Sequence, residues 1–232
     1  GVAAGKTTGA PVALSVENRD YRSWRERDIK PMTIPRPGHA DLTGAVKYGY
    51  RDLRVALERA SARETTMRVA AGALCKAYLA QFGITVGAYV VQIGGALAGL
   101  DEAIPYAQRF AIAEANDVRS PDAEAAERMH AEIHRAKVDK DTLGGVIEVV
   151  ALGVPAGLGS HVQHDRRLDA RLVAALVSIH AMKGAEIGHA FDNAGLRGSQ
   201  VHDEIGLGAG GMLTRLTNRA GGPEGGITTR DP

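Results

Sequence analysis

Six arginines and a lysine crowd one stretch of 33 residues: Arg36, Arg51, Arg54, Arg59, Arg63 and Arg68, with Lys47 among them. Guanidinium groups are permanently charged, planar donors that grip phosphate and carboxylate oxygens in pairs. So many in so short a segment repel one another unless an anion relieves them. The pattern fits capture of a small polyanion. It opens with Arg36-Pro37-Gly38-His39-Ala40-Asp41, where Pro37 and Gly38 set a tight turn that aims Arg36 and His39 in fixed directions. A histidine held that way can serve as acid or base near neutral pH. Arg59-Ala60-Ser61-Ala62-Arg63 follows, ahead of a helix whose first amides are unpaired and whose dipole attracts negative charge. The plainer alternatives are a solvated loop with an incidental histidine, and an N-cap flanked by solvated arginines.

Other motifs fail their context. Gly5-Lys6-Thr7 matches the end of a P-loop, but Pro11 and an expected strand stand where that motif needs a helix. Gly206, Gly208 and Gly211 have no strand leading in and no helix following, so they read as a loop tip. His130 and His134 share a helix face without a third ligand, and His161 and His164 flank a polar turn; both pairs read as surface histidines, and no metal site is expected.

The elements that must position the arginine cluster come next. Val12–Val16 reads as a strand, and Tyr21–Pro37, with three prolines, as a loop. Asp41–Leu57 fits a helix weakened by Gly44 and Gly49. Ser61-Ala62-Arg63-Glu64 has the form of a capping box, with Ser61 accepting from the Glu64 amide and Glu64 reaching back to the Ser61 amide. The Ala-rich helix it starts runs to Phe82 and stops at Gly83. Ile84–Ile93 and Leu143–Leu152 read as strands, Asp101–Ala115 and Pro121–Val138 as helices, the second capped by Ser120. Leu168–Lys183 reads as an apolar helix, Glu186–Phe191 as a strand, and the Gly-rich remainder as ordered loops. Both the Ala-rich and the apolar helix are expected to be buried. This irregular alternation implies one α+β domain over residues 1–232, with helices layered on sheets.

Composition sets the outer limits. A net charge of +1 argues against nucleic acid as a partner, and no apolar run approaches the ~20 residues of a membrane span. A single Cys75 leaves no internal disulfide, which makes a reducing cytoplasm the default compartment. Aromatics make up only 4% while glycines number 29, so a core has to come from Ala, Val, Leu and Ile.

The cluster and its surroundings resemble the chorismate synthase family. The likeness is carried by Arg36-Pro-Gly-His-Ala-Asp41, Lys47-Tyr-Gly49, Asp52, Glu58-Arg-Ala-Ser-Ala-Arg-Glu-Thr65 and Arg68-Val-Ala-Ala-Gly72. It continues through Asp141–Gly145, Gly153–Gly157, Ser178-Ile-His-Ala-Met-Lys-Gly184, Arg197–Ser199, His202–Ile205 and Thr217–Gly222, to Gly225-Gly226.

The resemblance implies a β-α-β sandwich with helices between antiparallel sheets, assembled as a homotetramer. It implies a lyase that converts 5-enolpyruvylshikimate 3-phosphate to chorismate and phosphate by an anti-1,4 elimination, with reduced FMN as cofactor and NADPH a candidate reductant. Residue by residue, it places Arg36, Ala62 and Arg63 on the substrate, and Arg59, Ala60, Ser61, His180, Ala181 and Gly225 on the flavin. His39 takes the position of a family histidine that acts as an acid toward the reduced flavin, and His180 stands where many members have Asn.

Neither Gly1 nor Pro232 reads as a natural terminus. The family's Gly-Glu-Ser-His-Gly segment is expected upstream, and its Lys-Pro loop and Arg-Ser-Asp segment downstream. The chain by itself is therefore expected to bind flavin weakly and to turn over slowly or not at all. The competing readings are a catalytically incomplete core that keeps fold and assembly only, and a flavin- or phosphate-binding protein of other function.

Overall fold

The computed structural model describes residues Gly1–Pro232. In chain order its elements are a small hairpin, β1 (Val2–Ala3) and β2 (Lys6–Thr7), then helices α1 (Tyr21–Trp24), α2 (Asp41–Tyr48), α3 (Arg54–Arg59) and α4 (Ala62–Ala80). Next come β3 (Thr85–Ile93), β4 (Ala96–Leu97), α5 (Tyr106–Glu114), α6 (Ala123–Asp139), β5 (Gly145–Leu152) and α7 (Leu168–Val177). The last are α8 (Ala190–Asn193), α9 (Gly198–Val201), and strands β6 (Ile205–Leu207), β7 (Leu213–Arg215), β8 (Pro223–Glu224) and β9 (Ile227–Thr228). Every strand pair is antiparallel, which makes the fold α+β as the alternation implied.

Two compact units form, interleaved in sequence: Gly1–Tyr78 with Arg171–Ala185, and Leu79–Ala170 with Glu186–Pro232. The second is built on a three-stranded sheet in the order β4-β3-β5. β3 and β5 run in register from Thr85 opposite Leu152 to Ile93 opposite Gly145, with an irregularity between Val90 and Gln92. There the Val90 amide donates instead to the Arg119 carbonyl at 2.9 Å. Ala96, Ala98, Val118, Ala125, Ala126 and Met129 pack α6 onto the sheet, with Val90, Ile93 and Leu100 around them. Gly87 lies under the Phe110 ring of α5, where a Cβ would come within 2.3 Å of the ring. Buried Arg109 spends its donors on the Ile104 and Asp101 carbonyls at 2.9 and 2.8 Å and on the Tyr89 hydroxyl at 3.2 Å. Burial, then a hydrogen bond with Glu148, pushes the Tyr89 hydroxyl up.

Several expectations need correction. Residues 12–16 form no strand: no segment pairs with them, and Val12, Leu14 and Val16 stay exposed. The helix expected over Asp41–Leu57 is two, because Gly49 adopts φ +70° and closes α2 with its amide on the Ala45 carbonyl. Helix α5 begins only at Tyr106, after Pro105. The cap of α6 is Asp122, whose Oδ1 accepts from the Ala125 amide at 3.0 Å; Ser120 is buried beside it. Glu186–Phe191 is not a strand, since Glu186 takes the Phe191 amide and helps to start α8. The expected burial of α4 and α7 is not met within this chain, as neither helix carries a buried residue. Their Ala-rich and apolar faces are at most half-buried here.

Candidate functional site

The first unit carries the arginine cluster on two short structural steps. Residues 35–40 form the expected turn, with Gly38 at φ +73°. Asp41, the first residue of α2, is fully buried and binds Arg36 three ways. Its Oδ2 accepts from the Arg36 amide at 3.0 Å and from Nε at 2.9 Å, while Oδ1 accepts from Nη2 at 3.0 Å. The hydrogen bonds from the Arg36 side chain, helped by its backbone and by the charges of Arg36 and His39, hold the Asp41 carboxyl down at about 2. Arg36 is thereby fixed in direction while 40% of its side chain stays exposed, and His39 stands exposed on the same turn.

Asp52 ties the segment ahead of this turn, at Met32, to the start of α3. Its Oδ1 accepts from the Met32 amide at 2.9 Å and the Arg54 amide at 3.0 Å, and those bonds hold its carboxyl below the usual range. The Leu53 amide donates to the Met32 carbonyl at 2.9 Å, and Arg54 Nη2 to the Lys30 carbonyl at 2.9 Å.

The start of α4 is the second step. Ser61 caps it through its carbonyl, which accepts from the Thr65 amide at 2.9 Å. The capping box of the sequence reading is replaced. The Ser61 amide donates to His180 Nδ1 at 2.7 Å rather than to Glu64. Glu64 instead accepts from Arg68 Nε at 2.7 Å and lies 3.4 Å from His180 Nε2. Arg68 continues to Ser178, with Nη1 on Oγ and Nη2 on the carbonyl, each at 3.1 Å. Ser61 at φ +66° and Ala181 at φ +67° both take left-handed backbone, a conformation that costs about 1–2 kcal/mol without glycine. The Ser61 amide and the side chains of His180, Glu64, Arg68 and Ser178 surround these two residues.

Two predicted flavin residues, Ser61 and His180, are thus in direct contact although 119 positions apart. Arg59, Ser61, Ala62 and Arg63 are exposed around the same helix start and Ala60 is half-buried, with Arg63 paired to Glu58. Gly225 belongs to the second unit, in the hairpin of β8 and β9. Sequence reasoning missed Glu64 and Ser178 as supports. The four-residue spacing of Glu64 and Arg68 was a readable helix pair; nothing local marked their reach to residues 178 and 180.

The donor set fits an anionic cofactor or substrate. Exposed arginines, a serine hydroxyl and the first amides of a 19-residue helix all donate, and phosphate or carboxylate oxygens accept. What the fold and this geometry define is an α+β protein whose arginine-flanked helix start offers donors that match small anions.

The comparisons with known proteins narrow that class. The family model for chorismate synthase matches residues 1–232, and the chain belongs to the chorismate synthase family. Among curated relatives, the chorismate synthase of Symbiobacterium thermophilum is 54% identical over 98% of this chain, and that of Chlorobaculum tepidum is 50% identical over all of it. The chain spans about 62% of the length of each of these relatives. A crystal structure of chorismate synthase superposes with a TM-score of 0.83 at 45% identity, covering 98% of this chain and 65% of the other.

Proposed function

We propose that this chain is the substrate- and flavin-binding core of a chorismate synthase, a lyase that converts 5-enolpyruvylshikimate 3-phosphate to chorismate and phosphate by an anti-1,4 elimination. The observation that carries the reading is the arginine-flanked start of α4, tied through Ser61 to His180. Reduced FMN, when bound there, would supply electron density beside the allylic carbon from which phosphate leaves. Arg36, Ala62 and Arg63 hold the substrate, whose phosphate and two carboxylates match permanently charged donors. Arg59, Ala60, Ser61, His180 and Ala181 hold the flavin. Charge growing on the leaving phosphate meets fixed guanidinium and helix-end donors that need no reorganisation. His39 keeps a proton at its imidazole for the flavin side of the site. NADPH is the candidate reductant, the assembly a homotetramer, and the compartment the cytoplasm.

A second reading is favoured by the bare faces of α4 and α7 and by the 62% span of the relatives' length. In that reading the chain alone keeps the fold and the anion site without completing the reaction. Anaerobic mixing with reduced FMN and 5-enolpyruvylshikimate 3-phosphate separates the two. Chorismate that forms, and is lost in His39→Ala, supports the first. Flavin binding without chorismate supports the second, and the absence of both binding and product contradicts the site assignment itself.

A further inference from the structure

His180 and Glu64 meet at the start of α4 in an arrangement that dictates where the imidazole carries its proton. The Ser61 amide donates to Nδ1 at 2.7 Å, so Nδ1 presents a lone pair and the ring proton belongs on Nε2. Nε2 lies 3.4 Å from Glu64 Oε2. That oxygen is buried and has no hydrogen-bond partner, so it is short of a donor. The other carboxylate oxygen is already taken by Arg68 Nε at 2.7 Å. Arg68 also holds Ser178 by side chain and backbone, and so fixes the segment that bears His180. An imidazolium would set two donors against each other at Nδ1 and lose the Ser61 bond.

We infer that Glu64 is a positioning residue for His180: it draws the ring proton to Nε2, keeps Nδ1 open to the Ser61 amide, and thereby sets the direction of the first turn of α4. Glu64 is the charged group of α4 beside this ring, and Arg68, paired with it, binds Ser178 two residues before His180. The consequence for flavin rests on the site reading above, because Arg59, Ala60 and Ser61 lie on the turn being aimed. The tautomer itself is a property of the protein without flavin. A histidine here faces two ways: one ring nitrogen accepts from the helix start, and the other lies beside a carboxylate four residues before the arginine that holds Ser178.

Nitrogen-15 NMR of the whole chain labelled at histidine reads this directly, with the His180 signals assigned by their loss in His180→Asn. The expected spectrum at neutral pH has an unprotonated Nδ1 and a protonated Nε2. In Glu64→Ala both signals move toward values typical of exchanging tautomers while the other histidines keep theirs. Reduced FMN should then bind roughly five- to tenfold more weakly to Glu64→Ala, the loss of about one hydrogen bond's worth of order. In the His180→Asn background, where the amide has no tautomers, adding Glu64→Ala should weaken flavin far less. A protonated Nδ1 in the unmutated chain overturns the inference without recourse to any variant. So does a Glu64→Ala chain whose other histidines are undisturbed and whose His180 signals do not move. The stated tautomer with undiminished flavin affinity in Glu64→Ala would instead overturn the placement of flavin at this turn.

Discussion

At the scale of single residues, the site depends on carboxylates that aim cations and a histidine. Asp41 is the clearest case. Its hydrogen bonds from the Arg36 side chain lower its carboxyl from 3.8 to about 2. A carboxyl depressed in the folded state adds stability above its unfolded value and loses it as pH falls through the folded one. Thermal stability is therefore expected to drop between pH about 4 and about 2, and Asp41→Asn should flatten that part of the profile, as calorimetry against pH would read. An unchanged acid limb in the variant would show that the pair contributes nothing. The arginine cluster and the turn around His39 were legible in the sequence because Pro37, Gly38 and charge density are local signals. The link from Ser61 to His180 was not, because it joins segments 119 residues apart that only the fold brings together. The capping-box expectation failed for the same reason: a distant imidazole outcompeted Glu64 for the Ser61 amide.

At the scale of elements, helices with strong local signals were found where their sequence put them. Helix α4 stops before Gly83, and β3 and β5 pair along nearly their whole length. Two segments expected as strands were misplaced. Residues 12–16 have strand composition but no strand to join, and Glu186–Phe191 yields to a local hydrogen bond that turns the chain. The start of α6 offers a quantitative contrast, since Ser120, followed by Pro121, has the look of the cap and Asp122 performs the role. Asp122 accepts from the Ala125 amide at 3.0 Å and from the Gly99 amide at 2.8 Å. Ser120 Oγ takes only the Asp122 amide, at 3.4 Å. Asp122→Ala is expected to cost about 1 kcal/mol or more in urea denaturation, and Ser120→Ala less. The reverse order would return the cap to Ser120.

At the scale of the whole molecule, composition limited the partners and the distribution of charge pointed to a small anion. No helix is long and apolar enough to cross a membrane. Family membership extends over all 232 residues, while the chain spans about 62% of its relatives' length. The longest helix, α4, and the apolar helix α7 hold no buried residue. The expectation of buried helices came from their small and apolar side chains, which report what a surface can pack against and not whether this chain supplies the partner. The proposed anion site is less affected, since its supports at Asp41, Asp52, Glu64 and Arg68 all lie within the first unit.

The central claim is that the start of α4 receives the reduced flavin, and anaerobic titration with reduced FMN in the presence of 5-enolpyruvylshikimate 3-phosphate tests it most directly. Comparing the unmutated chain with Arg59→Ala, we expect a saturable change in flavin absorbance that weakens by about tenfold or more in the variant, on the order of one charge-assisted hydrogen bond. Equal affinity in the two chains would contradict the account and move the flavin away from this helix.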